Sequence, residues 1–185
     1  MVISICPYGR YFFMAPYIRT SVEKTNPVRI LEKENIPFTL HDYSDKGVVA
    51  GIDVAESMGE DPREVFKTLV TTGKSGRFYV FVVPVTSELD LKKGAAAVGE
   101  KSVSMLPSKD LLSATGYVHG GCSPLGIKRH TVAVLDSSAE GLDRIFVSAG
   151  RIGLQMELSP KDLIGVLKPI VADITRPVPR RARGP

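Results

Sequence analysis

The chain of 185 residues has no tryptophan, 2 cysteines and 3 histidines. Cys6 and Cys122 stand far apart, which excludes a disulfide framework and a four-cysteine zinc site, so a reducing cytoplasm is the expected setting. His41, His119 and His130 are widely spaced, with no H-E-x-x-H and no C-x-x-C, so no metal is expected and no cofactor motif is present. His41 falls on an alternating stretch and reads as a sheet residue rather than a ligand. No apolar run approaches the roughly 20 residues that cross a bilayer, so no membrane partner is expected. No internal repeat is visible. With 43% hydrophobic and 24% charged residues, the chain is not a wholly disordered one. Its net charge of +4 mildly favours a polyanionic partner, but Arg176–Pro185 alone holds four arginines and no acid.

The ends differ from the middle. Residues 1–23 carry five of the thirteen aromatics, broken up by Pro7, Gly9, Arg10 and Pro16, with no A-x-A cleavage pattern. They read as an atypical extension, with Met14 as an alternative start, or as a short peripheral helix. Residues 177–185 read as a basic disordered tail, which leaves 24–176 as one domain. Within it, Thr25-Asn26-Pro27 predicts a capped helix start, and Asn35 can close that helix. Strands are expected at 38–43, 67–72, 78–85, 117–119, 130–135, 144–148 and 154–158. Helices are expected at 52–58, 89–98, 108–114 (capped by Ser108) and from Ser159 to about Thr175. Gly73-Lys74-Ser75-Gly76 predicts a hairpin turn. The mixed order predicts a single α+β domain. Its sheet should be curved, mixed and mostly antiparallel, or a partial barrel, flanked by helices.

Three features bear on chemistry. Gly120-Gly121-Cys122-Ser123-Pro124-Leu125-Gly126 is too rich in glycine for a helix or central strand. It reads either as a loop whose N–H groups cradle a phosphate, carbonyl or ribose edge, or as a tight turn between strands. It lacks P-loop and G-x-S-x-G spacing, and Cys122, with no base assigned to it, reads as a small residue packed under the loop. Lys67 opens a strand that should be largely buried. It either holds a carbonyl or phosphate or sits on an exposed strand end.

Together these residues resemble the YbaK/EbsC family of Cys-tRNA(Pro) deacylases, related to the editing domain inserted in bacterial prolyl-tRNA synthetases. The matching stretches are KTNPVRILEKENIPF at 24–38, VFKTLV at 65–70, LDLKK at 89–93, TGYVHGGCSPLG at 115–126 and VSAGRIGLQMEL at 147–158. The resemblance implies trans editing: removal of cysteine misloaded onto tRNA(Pro), an error invited by its closeness in size to proline. It implies Lys67 and Thr68 as catalytic residues. It implies Tyr43, Gly120, Gly121, Ser123, Pro124, Gly126, Ser148, Gly150 and Gln155 as substrate-binding ones. The acceptor end of an aminoacyl-tRNA is the implied partner, with prolyl-tRNA synthetase as a candidate second. The implied mechanism has the substrate thiol attack its own ester and leave as a thiolactone. Two positions depart from some members: Ala50 where an aromatic occurs, and Gln155 where an acid occurs. An Ala-tRNA(Pro) deacylase is the nearest alternative, with Lys128-Arg129 looking more like the Cys branch. A non-catalytic binder of tRNA or a synthetase is the alternative from another class.

Overall fold

The computed structural model describes residues 24–48, 51–129 and 131–178. The expectations for 1–23, Ala50, His130 and 179–185 lie outside them. Helix α1 (Asn26–Lys33) begins at the Thr25-Asn26-Pro27 signal and buries Pro27, Val28 and Leu31. Asn35 adopts a left-handed φ of 55° just past its end, and the Ile36 N–H donates to the Leu31 carbonyl at 2.9 Å. Along the chain follow β1 (Thr39–Asp42), α2 (Ile52–Met58), the hairpin β2 (Phe66–Gly73) and β3 (Phe78–Pro84), and β4 (Ser87–Leu89). Then come α3 (Leu91–Ala97), β5 (Val103–Met105) and α4 (Ser108–Thr115). Beyond the glycine loop lie β6 (Val132–Asp136), β7 (Ile145–Ser148), β8 (Leu154–Leu158), α5 (Pro160–Leu167), β9 (Ile170–Ala172) and β10 (Thr175–Pro177).

The class is α+β, and antiparallel pairings predominate, as expected. The described strands divide among three sheets, none a closed barrel: β1-β8-β7, β5-β2-β3-β6-β9, and the ribbon β10-β4. Only β3–β6 and β6–β9 pair in parallel. An isolated bridge, Val65↔Phe146, joins the start of β2 to β7, so the two larger sheets meet at a corner. The main core packs Val28 and Leu31 of α1 and Leu163 of α5 on Val147, Leu154 and Met156. A second packs Ala95 of α3 and Ile174 on Tyr79, Phe81 and Val83.

Four local expectations are corrected. The helix from Ser159 ends at Leu167, not near Thr175, because Lys168 turns left-handed (φ 50°) and Pro169 cannot continue a helix. The residues after it form β9 and β10, so Arg176 and Pro177 pair with β4. The helix placed at 89–98 begins at Leu91. Leu89 closes a strand, and Asp90 caps the helix by accepting from the N–H groups of Lys92 and Lys93. Residues 117–119 are not a strand: the Tyr117 hydroxyl donates to the Leu125 carbonyl at 2.7 Å, tying the segment to the glycine loop instead of to a ladder. The caps at Thr25 and Ser108 are not formed by side chains. Thr25 holds the cap position without a capping bond, and Ser108 is already helical behind Pro107.

Candidate functional site

The site originates in a gap along one edge of β2. Val85 N–H donates to the Val65 carbonyl and Gly73 N–H to the Arg77 carbonyl, so odd-numbered residues of this segment bond to the β3 side. Even-numbered residues therefore turn their main-chain groups to the other edge. There Phe146 N–H reaches Glu64 (2.8 Å) and Leu106 N–H reaches Val70 (2.9 Å). Thr68 falls between them: β5 pairs only with Thr71–Gly73, and β7 bridges only at Val65. The unpaired edge forms one wall of a cavity of about 320 Å³. Because the cavity wraps that edge, it meets Lys67 and Thr68 although adjacent side chains leave opposite faces of a strand.

The opposite wall comes from the outer face of the three-stranded sheet. Gln155 lies opposite both His41 and Ser148 in register, so these three share a face. Their neighbours Leu154, Met156 and Val147 point into the core. Ser148 and Gln155 line the cavity, with Gly120 and His119 from the glycine loop, Ser108 and Leu111 from α4, and Val54 from α2. Two polar atoms of this lining, Thr68 Oγ1 and Gln155 Oε1, are buried with no hydrogen-bond partner among the described residues. Buried polar atoms are normally paired, so these two are available to a ligand's groups, whereas Thr25 Oγ1 and Thr71 Oγ1, equally unpartnered, lie outside the cavity lining.

Lys67 is half-buried, and among the described residues its Nζ has no hydrogen-bond or ion-pair partner. Burial holds its pKa below the usual lysine value, opposed by the charge of Glu88. Tyr43 is buried behind Gln155 rather than on the cavity wall. Burial pushes its phenol pKa up, while the Gln155 side chain, as hydrogen-bond donor, opposes the shift. Ser148 Oγ accepts from the Gly150 N–H at 3.2 Å, which shapes the following turn. Burial pushes the Cys122 thiol to about 11, so at neutral pH it is almost wholly protonated, the inert state for a nucleophile.

Of the residues the sequence singles out, Lys67, Thr68, Gly120, Ser148 and Gln155 meet in this cavity. Gly121, Ser123, Pro124, Gly126 and Gly150 do not line it: the first four belong to the glycine loop, and Gly150 to the turn after β7. Gly126 has φ +74°, and a Cβ there would sit 2.4 Å from Asn26 Nδ2, which donates to the Gly126 carbonyl at 3.1 Å. A Cβ on Gly121 would lie 3.0 Å from the Ile152 nitrogen, so the loop packs directly on the Ser148–Gly153 turn. Sequence reasoning passed over Ser108 and the apolar wall of Leu106 and Leu111. It also passed over His119 as a site residue, although His119 stands beside the glycines in the 115–126 motif.

Two sheets meet at a corner beside a largely apolar cavity that, among the described residues, carries a few polar groups and no carboxylate. The chain belongs to the aminoacyl-tRNA editing domain family, which it matches over residues 47–166. It is 40% identical over 154 residues to EbsC of Enterococcus faecalis, whose name assigns it provisionally as a Cys-tRNA(Pro)/Cys-tRNA(Cys) deacylase. That match spans 83% of this chain and 94% of EbsC. A proline–tRNA ligase of Fervidobacterium nodosum is 25% identical over 142 residues, 77% of this chain and 23% of the ligase. A crystal structure titled as a provisional trans-editing enzyme for prolyl tRNA synthetase superposes with a TM-score of 0.70 at 24% identity. It covers 80% of this chain and 93% of that one, and shares its fold.

Proposed function

We propose that this protein is a trans-editing deacylase that removes cysteine from mischarged Cys-tRNA(Pro), with residues 24–176 as the editing domain. The observation that carries the reading is a cavity with unpaired polar groups but no activated protein nucleophile. Among the described residues no carboxylate lines it, and its cysteine is held as a thiol. A substrate bringing its own nucleophile suits such a site. In the step, the cysteine sulfur bonds to its own ester carbon and the bond from that carbon to the ribose 3′-oxygen breaks. The thiol proton ends on the 3′-oxygen, and a thiolactone departs. The protein contributes position and charge: a thiol held beside its own ester has a large effective molarity. Lys67 stabilises negative charge at the ester or the adjoining phosphate, and the Thr68 edge and Gly120 accept the aminoacyl-adenosine end. Tyr43, Gly121, Ser123, Pro124, Gly126 and Gly150 support that arrangement from behind. The acceptor end of the tRNA is the direct partner, prolyl-tRNA synthetase a candidate for delivering it, and the cytoplasm the expected setting.

The test is a panel of Cys-tRNA(Pro), Ala-tRNA(Pro) and Cys-tRNA(Cys) under single turnover. Cleavage of both cysteinyl substrates with little discrimination by tRNA, and Ala-tRNA(Pro) left intact, is the expected result. Preferential cleavage of Ala-tRNA(Pro) would assign the cavity to the alanine reaction, and no cleavage of any would make the protein a binder.

A further inference from the structure

Among the described residues, Gln155 is the one buried side chain of the cavity that offers an unpaired carbonyl oxygen. It is 7% exposed, its Oε1 has no partner among the described residues, and its amide meets the Tyr43 hydroxyl as donor. Those features fix what the oxygen can receive: an N–H or O–H of the ligand. On an aminoacyl-adenosine end the ribose 2′-hydroxyl and the adenine amino group belong to the nucleoside; the aminoacyl part carries one nitrogen donor, its α-amine.

The charges around Gln155 decide in which state that amine is taken. From β2 the cavity receives Lys67, a cation without a partner, and the neutral Thr68. From β7 it receives Ser148, and from the glycine loop His119 and the protonated Cys122. Helix α2 contributes Val54, and α4 contributes Ser108 and Leu111, none of them charged. Tyr43, behind Gln155, is a neutral phenol. On β1, His41 lies cross-strand from Gln155, and its Nε2 is paired with Glu157 at 2.7 Å. Glu157 also receives Arg144 at 3.4 Å, so that carboxylate is engaged away from the cavity. Glu88 acts on Lys67 from beyond the lining. An α-ammonium entering here would lose its water, meet a second cation and find no counter-charge, which is the costly way to bury a charge.

We propose that Gln155 receives the substrate's α-amino group through Oε1 and that the cavity takes this amine uncharged, releasing its proton to solvent on binding. This rests on the deacylase reading above and adds to it the atom and the protonation state. A neutral amine is still a donor to Oε1, and a glutamine oxygen favours the ammonium far less than the carboxylate of a glutamate at 155 would, too little to offset desolvation and the Lys67 charge.

The experiment uses two unreactive adenosine analogues with an amide in place of the ester: 3′-cysteinylamido-3′-deoxyadenosine and its 3-mercaptopropionyl counterpart, which lacks the amine. Binding of each to the full chain is measured by calorimetry from pH 6 to pH 8. Their ratio cancels the pH effects of the protein groups, which both analogues meet. An ordinary α-amino group titrates near 7.7–8.0, so relative affinity for the amine-bearing analogue should rise by roughly thirty- to fiftyfold over this range. In Gln155→Glu, where folded, the slope should flatten or reverse; the wild-type comparison stands without that variant. A ratio independent of pH in wild type, or one that falls as pH rises, overturns the proposal. If that occurs while Cys-tRNA(Pro) is cleaved, only the proposal fails. If neither analogue binds and no cysteinyl-tRNA is cleaved, the deacylase reading fails with it.

Discussion

At the scale of the residue, Lys67 and Cys122 stand in one cavity with opposite expectations. Lys67 keeps an unpaired ammonium at the unpaired edge of β2, in surroundings that already lower its pKa. Lys67→Ala is expected to cost roughly a hundredfold or more in deacylation, by analogy with removing one oxyanion donor. Its thermal unfolding should stay close to wild type, because no bond within the described residues is lost. A near-normal rate would remove Lys67 from the chemistry. Cys122 packs with Val70, Val80 and Leu111 and is held as a thiol by burial. Cys122→Ala should keep the deacylation rate within about threefold of wild type, the small truncation costing stability of order 1 kcal/mol. A folded but inactive variant would return the nucleophile to the protein.

At the scale of the element, the site depends on how the glycine loop is pinned. It is held by Asn26 of α1 through the Gly126 carbonyl (3.1 Å) and by Tyr117 through the Leu125 carbonyl (2.7 Å). Gly126→Ala would place a side chain against both anchors in a left-handed conformation. Destabilisation of order 2 kcal/mol is expected, read as a melting point lower by roughly 4–8 °C, together with weaker substrate binding. An unchanged melting point would mean that the loop is not held this way. Much of this was legible beforehand. Pro27 and Asn35 bracket α1, the glycines between β2 and β3 mark the hairpin, and the loop glycines and Lys67 stand out by type. What could not be read depends on contacts distant in sequence. β9 and β10 have three residues each and exist only through β6 and β4, so a helix running past Leu167 looked equivalent except for Pro169. The cavity arises from where β5 stops pairing with β2 and where β7 begins to bridge it, a matter of register that no local pattern carries. The unpaired state of Gln155 Oε1 follows from the same placement.

At the scale of the whole molecule, the C-terminal residues that follow α5 serve the fold. Ile174 is fully buried, and its N–H donates to Asp136 Oδ2 at 3.2 Å, while Arg176 pairs with Glu88 at 3.0 Å. Truncation after Asp173 should therefore lower the melting point. Truncation after Val178 keeps these contacts and removes Arg180, Arg181 and Arg183. Each phosphate those arginines neutralise contributes about 0.7–0.9 to the salt slope of tRNA binding, so that slope should flatten while amino-acid preference stays the same. An unchanged slope would make the basic end a bystander. The account as a whole rests on a nucleophile carried by the substrate into a cavity that lacks an activated one. The most direct measurement is the single-turnover rate on Cys-tRNA(Pro) against S-methyl-Cys-tRNA(Pro), with the released product identified. The account predicts cleavage of the cysteinyl ester at least about a hundredfold faster, with thiolactone as the first product; equal rates on the two esters, with free amino acid released from both, would contradict it.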